Sequence, residues 1–165
     1  MYFNFNSGNT LDKQSKAWRL EFSVKILDTN KPYTSVIHFT TGTNIGRYGD
    51  RNPAIWFAPG SSSLHICAAV NGNKNFCSNT KPLPLKIYVK VRIEQLRDCA
   101  ENPYEYTYRI FIDDEEVLKE INKEPIEQVS VKVYSSDPWY QSADAVIKDY
   151  VYSNLPDGKN IYCFT

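Results

Sequence analysis

The chain of 165 residues lacks any apolar run long enough to cross a bilayer, which excludes a helical membrane span. It also lacks an excess of charge. Nineteen Lys and Arg balance nineteen Asp and Glu, which removes the long-range field that draws proteins onto phosphate backbones or anionic lipid. No nucleic-acid partner and no membrane insertion are therefore expected. Only two histidines occur, and no Cys-x-x-Cys pair, which argues for disulfides over a zinc site. No Asn-x-Ser/Thr sequon is found, and the start, Met1 to Asn6, lacks the basic then apolar pattern of a secretion signal. The reading is a mature or recombinant domain cut from something longer.

What is present is strand chemistry. Val and Ile total 24 against 9 Leu, beside 23 aromatic residues, and branched and aromatic side chains suit a pleated, half-buried surface. From Trp18 to Ile26, Trp18, Leu20, Phe22, Val24 and Ile26 alternate with Arg19, Glu21, Ser23 and Lys25. That period of two predicts one buried and one wet face. Ile87, Val89, Val91 and Ile93 repeat it, as do Val129, Val131 and Val133, and the row from Tyr104 through Tyr106, Tyr108 and Ile110 to Ile112. Shorter strands are predicted at 35–41, 54–58, 64–70, 74–78, 116–121 and 145–152, with turn residues such as Pro59-Gly60 and Asp113-Asp114 between them. The expected fold is all-β, an antiparallel two-sheet sandwich forming one domain over residues 1–165. Helix is nearly absent.

Four cysteines in this length argue for disulfides and an oxidising, extracellular setting. A three-residue loop Asn71-Gly72-Asn73 would pair Val70 with Lys74, and counting outward sets Cys67 opposite Cys77 on one face. By elimination Cys99 joins Cys163, tying residues 156–165 back onto the domain as a C-terminal tail.

Leu64–Asn79 (LHICAAVNGNKNFCSN), Ile87–Gln95 (IYVKVRIEQ), Tyr106–Val117 (YTYRIFIDDEEV) and Val129–Leu155 (VSVKVYSSDPWYQSADAVIKDYVYSNL) occur in an order that resembles the concanavalin-A-like and laminin-G-like jelly rolls. With Ser136 to Tyr140, the Cys-bracketed hairpin is similar to modules of large secreted or surface proteins of invertebrate animals. The resemblance implies a jelly roll and lectin-like recognition. A fold alone does not transfer function.

Jelly-roll glucanases carry a Glu-x-Asp-x-x-Glu type of strand motif, and none occurs here. Glu94, Asp98 and Glu101 run through a strand end, and Asp113 to Glu116 read as solvated turn acids. His38 and His65 lie in strands, His65 two residues from Cys67 on one face, where a lone histidine is ordinarily a packed or surface side chain. No catalytic residue, cofactor or metal is assigned. Asp50, Asn52 and Asp137 are hard oxygen donors, but their spacing fits no calcium loop.

Two regions carry the candidate ligand site. Thr40 to Pro53 is the longest irregular stretch and offers Arg47, Tyr48, Asp50 and Arg51, side chains suited to a sugar or a carboxylate. The alternative is an edge-covering loop whose glycines let it turn. Asp137, Trp139 and Tyr140 form a Pro-fixed turn that sets an aromatic pair at the sandwich rim, where rings stack on sugars or anchor proteins. The alternative for Trp139 is a plug at the end of the core. If both regions act, they must meet at one rim. The expected function is a non-catalytic recognition module binding a glycan, or else another extracellular protein through adhesion or matrix contacts. A glycosidase or lyase is the third reading.

Overall fold

The computed structural model describes residues 9–29, 32–97 and 105–155. Twelve strands and no helix occur among them: β1 Asn9–Gln14, β2 Trp18–Ile26, β3 Thr34–Thr40, β4 Ala54–Phe57, β5 Leu64–Val70, β6 Asn73–Asn79, β7 Tyr88–Arg97, β8 Tyr106–Ile112, β9 Glu115–Asn122, β10 Gln128–Tyr134, β11 Gln141–Ser142 and β12 Ala145–Asn154. One sheet has the order β1-β10-β3-β4-β5-β6, with the short β11 parallel to β3. The other is β12-β2-β7-β8-β9. Apart from β11 the pairings between strands are antiparallel, so the chain is the two-sheet jelly-roll sandwich that its periodicity predicts.

The alternation in β2 explains the core. Trp18, Leu20, Phe22, Val24 and Ile26 are all buried and meet Phe39, Ile55, Leu64, Ile66 and Val131 of the opposite sheet. Each such side chain contributes about 1.5–3 kcal/mol when fully buried. Tyr108 and Ile110 belong to this interior and Tyr106 is buried as well, which resolves that tyrosine row as core-facing; Tyr104 lies outside the described residues.

Besides Ile87, which precedes β7 and is 59% exposed instead of lying in the dry row with Val89, Val91 and Ile93, two local readings are corrected. The β5–β6 connection has two residues, not three: Val70 pairs with Asn73 across Asn71 and Gly72, whose φ angles are 51° and 72°. Positive φ at both central positions is the turn that matches strand twist, and Asn-Gly supplies it. A bulge between Ala68 and Val70 then takes up the missing residue and restores Cys67 opposite Cys77. The second correction is Val129, which is 66% exposed while Val131 and Val133 are buried. Ser130 adopts φ 54°, which breaks the alternation and turns Val129 out. Strands β1 and β11 were not foreseen: β1 is mostly polar, with only Leu11, Gln14 and neighbouring Ser15 turned inward.

The Cys67–Cys77 disulfide is present, with its Cα atoms 4.1 Å apart. The expected Cys99–Cys163 bridge, Asp98, Glu101 and the tail after Leu155 lie outside the described residues.

Candidate functional site

The outward face of the seven-stranded sheet is built from register. His38 of β3 pairs with Ala54 of β4, which pairs with Cys67 of β5, which pairs with Cys77 of β6. One step along, Ser35, Trp56, His65 and Asn79 make the next row. Because alternate residues of a strand share a face, both rows point away from the core, and the two candidate regions fold over them.

Asp137 organises the first region. Its Oδ2 accepts from Ser35 Oγ at 3.0 Å and Trp56 Nε1 at 3.1 Å, and lies 3.0 Å from His38 Nδ1. Its Oδ1 accepts the backbone N–H of Trp139 at 3.0 Å and of Tyr140 at 2.9 Å. Burial on its own would raise the Asp137 pKa, but the hydrogen bond and charge of His38, with the Trp139 and Ser35 donors, outweigh it and hold the carboxyl below the usual value. The acid thus shapes the Pro-containing turn from within.

Asp50 does the same for the long loop. It accepts from the hydroxyls of Thr41 at 2.8 Å and Thr43, and from the backbone N–H of Arg47 at 2.7 Å. Burial again opposes ionisation, and these donors overcome it, leaving the pKa lowered. The loop is further fixed by the reciprocal pair of Asn52 and Gln14, with Gln14 Nε2 donating to Asn52 O at 2.7 Å. Gly49 is required here: its φ is 97°, and a Cβ would run into Gln128 and Ile126.

His38 joins the two regions. Nε2 lies 2.7 Å from the carbonyl oxygen of Asp50 while Nδ1 meets Asp137. A carbonyl only accepts, so Nε2 carries a proton, and neither nitrogen is left to act on an external group. A His–Asp pair with its far nitrogen committed to the backbone is a structural clamp, unlike the dyad of a hydrolase.

The loop and the turn therefore converge, as a shared site requires, but several of the expected ligand contacts face inward. Asp50, Arg51 and Asp137 are buried and spend hydrogen bonds within the protein. Arg51 donates to Asn44 and, from Nη1, to Asn75 Oδ1 at 2.6 Å, and its guanidinium lies 4.6 Å from the Trp56 ring centre. Burial draws its pKa down, partly offset by Tyr140 and Asp137. Tyr48 donates to Glu124 O at 2.9 Å and receives the Gly72 N–H, so it staples the loop to the β5–β6 turn. Burial raises its pKa. Arg47 is exposed. Trp139 is 38% exposed and lies over His38, ring centres 5.2 Å apart, with Tyr134 edge-on. It covers the clamp instead of plugging the core.

What remains open is an aromatic basin that sequence reasoning missed. Tyr33, exposed, sits 5.3 Å from His65 and 6.3 Å from Tyr140, and Trp56 lies beneath, 5.5 Å from Tyr140 and 6.1 Å from His65. Asn75 and Asn79 border it on β6. Cross-strand register assembles this set from four segments; the usable signal was the alternation in Trp56 and His65 of β4 and β5. Glu94, by contrast, is buried and paired with Arg19 at 2.8 Å, and Asp113 and Asp114 form a positive-φ hairpin turn.

No protein-family model matches the sequence, and no curated protein matches it. Solved structures share the fold. Sheep galectin-11, in complex with glycerol, is 14% identical with a TM-score of 0.52, covering 92% of this chain and 100% of that one. The Trypanosoma rangeli sialidase in complex with sialic acid is 11% identical with a TM-score of 0.58; the match covers 84% of this chain and 20% of the sialidase. Botulinum neurotoxin type C is 14% identical with a TM-score of 0.52, over 84% of this chain and 32% of the toxin chain. The chain thus spans a fifth to a third of those two larger proteins. At such identities the likeness establishes the two-sheet β-sandwich fold and nothing finer.

Proposed function

We propose that the protein is a non-catalytic recognition module of a secreted or cell-surface protein, binding a glycan at the outward face of its seven-stranded sheet. The observation that carries this reading is the basin of Tyr33, Tyr140 and His65 over Trp56, flanked by the amides of Asn75 and Asn79. Aromatic faces stack on the apolar faces of sugar rings, and amides bond to hydroxyls. The neurotoxin structure is described as a protein whose cell entry depends on two ganglioside molecules, which supports a glycan as ligand class for this fold. A non-catalytic role is supported by the clamp: Asp50, Asp137 and His38 spend their polar atoms on the protein itself. Extracellular residence is supported by the Cys67–Cys77 disulfide.

A protein-interaction reading has its own observation. Leu85, Ile87 and Val117 are exposed beside a groove of about 550 Å³ between Pro82, Leu83 and Val89. A glycan array run with and without calcium separates the two. Binding that is lost on Tyr33→Ala and Tyr140→Ala supports the glycan reading; an array with no signal overturns it.

A further inference from the structure

We propose that His65, Cys67 and Cys77 form a redox-gated site for Zn²⁺, closed while the disulfide stands and opened by a dithiol reductant. The site shares His65 and Asn79 with the aromatic basin, but the inference does not require a glycan to bind there, and metal binding is read without one. His65 and Cys67 are two apart on β5 and Cys77 faces Cys67 from β6, so all three share one side of the sheet. Same-face positions two apart on a strand are separated by about 6.6 Å along it, a span that two side chains can close around one ion. The imidazole nitrogen and the two sulfurs already lie within 4.8 Å of one another.

The histidine is oriented for the task. Its Nδ1 is 2.7 Å from Asn79 Oδ1, an oxygen that only accepts, so the ring proton sits on Nδ1. Nε2 therefore turns a bare lone pair toward Cys67 Sγ, 3.3 Å away. A metal-binding histidine held through its other N–H by a carbonyl has this same arrangement. Asn75 Oδ1, 3.2 Å from Cys77 Sγ, is engaged by Arg51, leaving the fourth tetrahedral position to water.

The bridge is not what aligns the ligands. His65 with Asn79, Ile66 with Ser78 and Ala68 with Phe76 pair around it, and the Asn71-Gly72 turn closes the hairpin. Opening the S–S bond leaves the strands in register. The reaction balances with a dithiol donor: it supplies two electrons and two protons, the Cys67–Cys77 bond breaks to two thiols, and the donor becomes its own disulfide. Zn²⁺ binding then releases both thiol protons to solvent, so two thiolates, a neutral imidazole and the cation leave the site without net charge. Sulfur and imidazole ligands favour zinc over calcium or magnesium.

The test uses the full chain carrying Cys99→Ser and Cys163→Ser, reduced with a phosphine and titrated with Co²⁺ as a coloured surrogate, then with Zn²⁺. The expected result is one equivalent of Co²⁺ bound, with thiolate-to-metal absorption, two protons released, and displacement by Zn²⁺. The oxidised chain should give none of this. Cys77→Ser should abolish the absorption, and Asn79→Ala should weaken binding by about 10-fold through loss of the ring's orientation. His65→Phe should weaken it more. If the Ser pair compromises the fold, the difference between the reduced native chain and its Cys77→Ser variant gives the same reading. A reduced chain that binds no Co²⁺, binding undiminished by His65→Phe, or loss of the strand signal in circular dichroism on reduction would each overturn the proposal.

Discussion

His38 and Asp137 face each other at 3.0 Å with no exposed side-chain surface on either. The pair holds a strand to a turn that lies 99 residues further along the chain. Removing His38 leaves the buried Asp137 carboxylate desolvated and short of one partner, which costs about 3–5 kcal/mol. His38→Ala should therefore lower stability to chemical denaturation by about that amount. A double-mutant cycle with Asp137→Asn should show clear coupling between the two positions.

Acid should unfold the protein through the same network. The pKa values of Asp137 and Asp50 are lowered on folding, so each binds its proton less readily in the native state than in the unfolded chain. Their stabilisation is complete above the unfolded value of about 3.9 and disappears as pH falls through the depressed native values. Denaturant midpoints measured from neutral pH downward should hold until about pH 4 and then decline, and Asp137→Asn should flatten that decline.

Gly49 and Gly60 separate two costs. Both have positive φ, but a Cβ at Gly60 meets nothing whereas one at Gly49 collides with Gln128 and Ile126. Gly60→Ala should cost about 1–2 kcal/mol, the backbone penalty alone. Gly49→Ala should cost more, with thermal unfolding as the measure.

The backbone turn at Ser130, φ 54°, has a direct check. Val129→Lys should change stability by less than about 0.5 kcal/mol, as for an ordinary surface site. Val131→Ala, two residues on and buried, should cost about 2 kcal/mol. Equal effects would mean that the two valines share a face.

For recognition, Tyr33→Ala and Tyr140→Ala should each weaken glycan binding by about 1–3 kcal/mol while leaving the fold intact, read by calorimetry beside a thermal melt. Trp56→Ala should unfold or strongly destabilise the chain, since Trp56 is buried under Arg51 and its indole N–H is bonded to Asp137.

The fold was legible because β2 alternates without interruption and β7 does so through Ile93, and a strand with one dry face states its own orientation. The Cys67–Cys77 pairing was reached through a loop one residue too long, and the bulge beyond Ala68 made up the difference. Bulges leave little trace in composition, and neither does the positive φ of Ser130, which is why Val129 read as core. The meeting of the long loop and the Pro-containing turn was foreseen, and the burial of their polar groups was not. Asp50, Arg51 and Asp137 look like surface groups in sequence, since what buries them is hydroxyl and amide donors from distant segments. One local sign was available: Asp137-Pro138-Trp139-Tyr140 has the form of an aspartate capping the N–H groups two and three residues on. The basin of Tyr33, Trp56, His65 and Tyr140 required the register of β4 on β5, which no short window contains.

The carbonyl of Asp50 and the carboxylate of Asp137 grip opposite sides of one imidazole, which makes the long loop and the aromatic turn a single rigid jaw. A ligand touching both would find them already set, so binding would proceed with little induced fit and little loss of chain entropy. Free and bound forms should superpose across this rim, and substitutions at the clamp should act on affinity at a distance, by loosening the jaw before the ligand arrives.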